Sequence, residues 1–492
     1  MNPLLATAIF ACGIAGLFYL DREGKARTSK AVWLPVVWFW LIESRPVSFW
    51  LGLNPEGNVQ LEGSPLDAFI FAVLLAAGLA VLVSRGKQTG ALLKANWPIL
   101  LYFVYCLISV AWSYYPDVAF KRWIKACGDV VMALVAATEP RLAEAVGRLF
   151  SRVGFLLLPV SVLLIKYYGE LGRGYTPDGD PMNVGVTTSK NMLGLIVLVV
   201  SLTVVWRVVA LLRNKTEPNR IRHLIAQSVL LAFVVWLLVL AHSATSLACF
   251  LLGSTAILMG NMRMVRKRPA WLHALSLAMV LVGASTLLSG GKGGAVSALG
   301  RSSLSGRTEI WAAVIPAVPS AIVGAGFENF WITPSCLQAV ANNLQGWWHP
   351  EYLSESHNGY LEVYLNLGWI GALFLSLILI RGYRSATTAF KSNPHIGGLM
   401  LAYIIVAVIY NLSEAATRML HPMWTCLLFA VVISTGVECG LVGGIAPKIS
   451  ARRGRTAGET LTTDRFVPER QLPEQPDADW TRVKSIAASN LL

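Results

Sequence analysis

The sequence predicts an all-α, polytopic membrane protein, and three observations carry that expectation. Of 492 residues, 55% are hydrophobic and only 14% charged, too little polar surface to coat a soluble chain of this length. Apolar runs of about 15 to 22 residues recur along the chain, the length that crosses a hydrocarbon core as a helix. Basic residues gather in every second connecting segment, which is the positive-inside pattern. A transmembrane β-barrel would instead show alternating segments of roughly ten residues, and the sequence does not read that way.

Taken in order, the first apolar run, 3–20, has no basic residues before it and the stretch DREGKARTSK after it. A retained helix is expected there, not a signal peptide. Further spans are expected at 31–51, 66–84, 96–112, 118–138, 153–168, 191–212, 224–241 and 244–262, and then at 271–289, 357–380, 400–411 and 423–441. The tally is about 12 to 13 transmembrane helices. The second is the least regular, because Glu43, Ser44, Arg45 and Pro46 interrupt it. Segment 309–324 is apolar, yet Pro316 and Pro319 break a straight helix, which marks a re-entrant or interfacial piece. Residues 1–443 thus form a membrane domain. The remainder, 444–492, mixes charges, Pro and Gly without periodicity and is expected to be a disordered cytoplasmic tail.

A formal net charge of +14 raises nucleic acid as a partner, but the distribution of that charge points to a membrane. Basic clusters from Arg22 to Lys30, Arg85 to Lys94, Arg141 to Arg152, Arg213 to Arg222, Arg263 to Arg268 and Arg381 to Lys391 mark cytoplasmic loops. The opposite, outer face then holds 43–65, 167–190, 288–356 and 412–422. Its main feature is a large loop, about 290–356, which is polar and aromatic, and long structured loops of this kind carry function. Six of the seven cysteines lie in or against apolar runs, with Cys336 alone in that loop. No disulfide framework or metal spacing results.

The candidate functional residues are those that the topology disfavours where they stand. Arg45, Arg173, Lys190, Lys292, Arg301, Arg307 and Arg418 are cations on the outer face, the device expected for a polyanionic ligand, since guanidinium grips phosphate oxygens through a bidentate fork. Arg307 stands at the entrance of an apolar segment, beside Glu309 and Trp311. His357 opens the next helix and is a candidate proton carrier near neutral pH. Glu351 and Glu355 are alternative bases, and Asn358 and Tyr360 lie within reach of the same helix start. Trp347, Trp348 and Tyr352 offer faces on which sugars stack, although single aromatics at an interface more often serve as anchors. The string SGGKGG at 289–294 lacks the Ser or Thr of a phosphate loop and faces away from cytoplasmic ATP. Asp178 and Asp180 form an Asp-x-Asp pair that turn chemistry accounts for. No nucleotide, metal or other cofactor is expected.

Several short strings occur in an order that resembles the bacterial O-antigen ligase and Wzy-type polysaccharide polymerase superfamily, particularly its exopolysaccharide polymerase branch. They are LPVVWFWLIESRPVSFWL, VTTSKNMLG at 186–194, AHSATSL at 241–247, SGRTEIW at 305–311, GAGFENFW at 324–331, SHNGYLEVYLNLGWIGA at 356–372 and NLSEAA at 411–416. The resemblance places the ligase- or polymerase-like core at about 150–420. It implies glycosyl transfer on the outer face of the inner membrane, with a glycan on undecaprenyl diphosphate as donor. The acceptor is another lipid-linked repeat in a polymerase, or lipid A core in a ligase. It implies essential roles for Arg307 in the SGR string and His357 in the HN string. It also implies a basic residue in the string that here reads HSATS, where this chain has Ala244, and Arg173 and Lys190 are the expected substitutes on the diphosphate. His357 is then the general base or the group that orients the acceptor, and a chain-length regulator and a flippase are the expected protein partners. A transporter or flippase of the same lipid is the rival outside the enzyme class. It would place charges deep within discontinuous helices, and few ionisable residues lie deep in the expected spans.

Overall fold

A computed structural model describes residues 2–22, 28–53, 63–176, 179–216, 219–268, 270–281 (apart from 272, 275 and 279), 307–344 and 353–442. The tail 444–492, Glu351, Asp178, Lys292, Arg301 and the aromatics at 347, 348 and 352 lie outside the described residues. The main helices are α1 (Pro3–Leu20), α2 (Trp33–Ile42), α3 (Pro65–Ser84), α4 (Gly86–Ala95), α5 (Trp97–Ser109), α6 (Pro116–Ala137), α7 (Leu142–Tyr167) and α8 (Lys190–Arg213). They continue with α9 (Arg220–Ala241), α10 (Ala244–Gly260), α11 (Arg307–Val314), α12 (Pro334–Asn343), α13 (Gly359–Ser392), α14 (Pro394–Tyr410) and α15 (Pro422–Glu438). Among the described residues the sheet content is one small antiparallel hairpin, β1 (Arg173–Tyr175) with β2 (Pro181–Asn183), in the register Gly174 to Met182.

Starts of these helices follow from local chemistry. Asn2, Ser64, Asn393 and His421 accept backbone N–H groups at the N-caps of α1, α3, α14 and α15, each followed by proline. Proline at that position lacks only an N–H that the helix leaves unbonded anyway. Among the described residues six helices, α1, α3, α7, α8, α9 and α13, are long and apolar enough to cross a membrane, and the pair α4 and α5, bent by 82°, makes a seventh if taken as one span. The chain is therefore an all-α membrane protein. Shorter apolar helices occupy Lys30–Ile42, Ala244–Gly260, Pro394–Tyr410 and Pro422–Glu438.

Two boundaries differ from the sequence reading. Helix α7 begins at Leu142 instead of 153, because its basic first turns pack inward: Arg148 is buried, and its guanidinium donates to Thr28 Oγ1 at 2.6 Å. Helix α13 runs on past 380 to Ser392, where Ser385 and Arg381 hold Glu438 of α15 at 2.7 and 3.0 Å. Ionisable groups also lie deeper than expected. Asp129 on α6 is fully buried and accepts from Trp38 Nε1, Leu420 N and Thr425 Oγ1 at 2.9 to 3.0 Å. It ties α2 and α15 to the connection that precedes α15.

The main core centres on α14 and α15, whose side chains are buried on nearly every side, the mark of a helix enclosed by others. A second core stands apart from it. Ile310, Val314, Phe330, Trp331, Cys336, Val340 and Leu365 pack together there, joining α11, the turn Phe330–Ile332, α12 and the start of α13. Over its described residues, segment 307–344 is thus a folded unit with its own apolar centre.

That unit is stitched into the bundle at a break in α13. Gly368 has φ 62° and ψ −162°, which interrupts the helical ladder and frees backbone groups that burial would penalise. The GAGF segment satisfies them: Ala325 N and Gly326 N donate to Leu365 O and Asn366 O, and Trp369 N and Ile370 N donate to Ala321 O and Ile322 O, all at 2.8 to 3.2 Å. The approach is so close that a Cβ on Gly368 would lie 2.2 Å from Ile322 O, and one on Gly324 would lie 2.4 Å from Asn366 C. Gly368→Val should therefore lose the monodisperse peak in fluorescence-detected size exclusion. Gly13→Val, where a Cβ meets nothing within 4 Å, should keep it, and equal yields would show that the break does not constrain the fold.

Candidate active site

Three segments converge on one carboxylate. Arg307 is the first residue of α11 and is buried; its Nη2 lies 3.0 Å from Glu414 Oε1. His357 stands just before α13, with Nδ1 at 3.8 Å from Glu414 Oε2 and 2.9 Å from Glu355 Oε1. The short contact is an ion pair without hydrogen-bond alignment. Asn191, on the first turn of α8, donates to Glu414 Oε1 at 3.5 Å.

Sequence explains why these groups meet. Trp311, one turn after Arg307, donates from its indole to Ser356 O at 2.8 Å, locking α11 against the residue before His357. Asn358 is the N-cap of α13; its Oδ1 accepts from Tyr360 N and Leu361 N at 3.0 and 3.1 Å, and its Nδ2 reaches Leu412 O. Gly359 N donates to Asn411 O at 2.9 Å, and a Cβ there would fall 1.7 Å from Asn411 Oδ1, so the glycine of SHNG is required by contact with NLSEAA. His357 itself has φ 52°. It lies outside the helix that sequence had it open, in a left-handed conformation that turns its ring towards Glu355 and Glu414.

A second layer of charge backs the first. Glu355 Oε2 lies 3.3 Å from Arg418 Nη1, Arg418 Nε lies 3.9 Å from Glu328 Oε2, and Arg122 on α6 donates to Glu328 O. Burial alone would lower the His357 pKa, but Glu355 and Glu414 outweigh it and raise it to about 9. Burial would likewise raise Glu355; His357 and Arg418 bring it down to about 2. At neutral pH the resting site therefore holds an imidazolium between two carboxylates.

The expected site residues divide as follows. Arg307, His357 and Glu355 come together, whereas of Lys190 and Asn191 at the start of α8 it is Asn191 that reaches Glu414. Arg173 turns elsewhere, its Nε donating to Ile165 O at 3.0 Å. Arg45 donates to Leu171 O and stacks on Phe49. Tyr360 anchors α13 through its hydroxyl to Val408 O at 2.9 Å, and the polar atoms of Asn358 are committed to the caps and contact already described. Ala244 is exposed on the first turn of α10, next to Thr245, whose hydroxyl lies 3.1 Å from that of Ser413. The position where the resemblance implied a cation is thus uncharged here, one residue before the Thr245 contact to Ser413. Sequence reasoning missed Glu414, Glu328, Asn191 and Arg122. Nothing in the sequence alone paired the acid of NLSEAA with Arg307 or His357. Glu355, His357 and Glu414 each offer one ligand atom within 4.8 Å of the others, but both carboxylates already face arginines.

Residues 228–376, which carry Arg307 and His357, match the family model described as O-antigen ligase. Over these residues the chain is similar to the O-antigen ligase family. It is also 25% identical over 357 residues to the exopolysaccharide production protein ExoQ of Rhizobium meliloti strain 1021, covering 70% of this chain and 77% of that protein. These similarities and the apolar helices support a multi-pass bacterial membrane protein of the ligase or polymerase type, related to proteins of polysaccharide synthesis.

The His357 pair makes a pH prediction. Its histidine part is complete below the ordinary imidazole value of about 6.5 and its glutamate part above about 4.3; the first is lost as pH rises through about 9, the second as pH falls through about 2. In histidine-labelled protein the ¹⁵N signals absent from His357→Ala should titrate near 9, and Glu414→Gln should move that midpoint down. A wild-type midpoint at or below 6.5 would remove the pair.

Proposed function

We propose that the protein polymerises undecaprenyl-diphosphate-linked oligosaccharide repeats into exopolysaccharide or O-antigen, by glycosyl transfer on the outer face of the inner membrane. The observation that carries this reading is the convergence of Arg307 and His357, distant in sequence, on the single carboxylate of Glu414. Diphosphate is a good leaving group, so the reaction asks for cations to neutralise it and a base for the acceptor proton. Arg307 and the His357 imidazolium supply the cations, with Lys190 at the margin. Held protonated, His357 donates to the departing diphosphate and does not act as the resting base. The acceptor hydroxyl attacks the anomeric carbon, its proton passes to Glu414, the carbon–oxygen bond to diphosphate breaks with its electron pair, and the anomeric configuration inverts. Similarity to an exopolysaccharide production protein supports polymerase over ligase, and about 12 to 13 spans with the 290–356 segment outside remain the topology we adopt.

Arg307→Ala should lower turnover roughly 100- to 1,000-fold, about 3 to 4 kcal/mol, and Arg307→Lys should recover only part, since a point charge does not reproduce the fork. His357→Ala and Glu414→Gln should each leave single repeats on the lipid carrier at unchanged protein abundance. Normal polymer length in the alanine variants would discard the assignment, and glycan appearing on lipid A core instead of longer on the carrier would favour ligase.

The reaction as written uses no metal. Purified protein should extend lipid-linked repeats in EDTA and without ATP. Activity lost in EDTA and restored by manganese would turn Glu355, His357 and Glu414 into metal ligands.

A further inference from the structure

Among the described residues Glu328 is the one acid with a positive φ, 52°, a conformation that glycine adopts freely and a glutamate only at a cost. Such strain persists where the surroundings over-determine it. Here Phe327 N donates to Ser109 Oγ of α5 at 3.1 Å, and Asn329 N donates to Asn366 Oδ1 of α13 at 2.9 Å. Arg122 of α6 donates to the carbonyl of Glu328 itself. Three helices thus fix the backbone of this residue and aim its side chain at the connection between α14 and α15.

There Glu328 meets Arg418 and Met419. Its Oε1 accepts from Met419 N at 2.9 Å, and its Oε2 lies 3.9 Å from Arg418 Nε. On the next residue Leu420 N donates to Asp129 Oδ2 at 3.0 Å, so the backbone after Arg418 is held from two sides. The guanidinium itself stands between two acids, with Glu355 Oε2 at 3.3 Å from its Nη1. Through its other oxygen Glu355 lies 2.9 Å from His357 Nδ1. A cation shared between two carboxylates neutralises each of them less, so the charge of Glu328 leaves more of Glu355 to His357. Other groups face this chain from the elements around it: Glu362 of α13 and Arg122 of α6 face Arg418, His421 at the start of α15 faces Glu355, Tyr102 and Cys106 of α5 face Glu328, and Glu414 faces His357. Of the acids named, Glu328 is the one whose side chain also bonds the backbone beside Arg418.

We propose that Glu328 is a positioning residue: by sharing Arg418 it leaves Glu355 to face His357. Its action runs through Arg418. For turnover the inference rests on the glycosyl-transfer reading, in which the His357 imidazolium donates to the departing diphosphate.

The readout is the ¹⁵N titration of His357 in the full-length, histidine-labelled protein, with a wild-type midpoint near 9. Glu328→Gln keeps an acceptor for Met419 N and removes the charge, and it should lower that midpoint by about half a pH unit. Glu328→Asp keeps the charge at shorter reach and should shift the midpoint less, whereas a role confined to shape and hydrogen bonding would reverse that order. Arg418→Gln alone should raise the midpoint, and in that background Glu328→Gln should have little further effect. An unchanged midpoint in Glu328→Gln, a larger displacement by Asp than by Gln, a fall in Arg418→Gln, or an equal shift with Arg418 absent would each overturn the proposal. The alkaline limb of turnover in Glu328→Gln should move down with the midpoint. The titration requires no turnover, so failure of the polymerase reading through Arg307→Ala would be seen separately.

Discussion

One carboxylate shared between two cations organises the site. Glu414 lies against Arg307 and within ion-pair distance of His357, and it is buried, so leaving it unpaired would carry a large desolvation penalty. The connection between α14 and α15 cannot move away from α11 without exposing that charge. Each neighbour then reinforces the same arrangement: Trp311 holds the chain before His357, Asn411 is pressed against Gly359, and Asp129 secures the far end of the connection through Leu420 N. The groups proposed to act on a diphosphate are thus placed before any substrate arrives, which is the condition for charge stabilisation to accelerate a reaction.

The class of the protein was legible in the sequence because it depends on sums. Apolar length and the alternation of basic loops survive errors at any single position, and all-α membrane architecture followed. Boundaries were less legible where a charge turned inward. Arg148 reads as a solvated loop cation, but its partner Thr28 lies far off in the sequence, and only the packed structure shows that α7 extends through it. The break at Gly368 was invisible for a related reason: GWIGALF reads as uninterrupted span, and the strands of backbone that compensate the break come from 321–326.

At the site, residue types were legible and pairings were not. An arginine or histidine in a segment that the basic-loop pattern assigns to the outer side is conspicuous, which is how Arg307 and His357 stood out. An acid there looks ordinary until its cations are known, so Glu414 and Glu328 passed unremarked. The protonation of His357 is a property of two carboxylates from different segments, and a sequence that leaves those segments unconnected reads the residue as an ordinary imidazole. Arg173 and Arg45 show the converse, since each is conspicuous by the same rule yet bonds to backbone carbonyls.

Segment 307–344 has an apolar centre of its own, formed by Ile310, Phe330, Trp331, Cys336 and Val340 with Leu365 of α13. The two clusters share no residues, yet α11 gives Ile310 to this centre and Arg307 to the ion pair with Glu414. Repacking the small centre therefore shifts the short helix on which the arginine stands. The aim of that guanidinium is thus set by a handful of apolar side chains outside the main core.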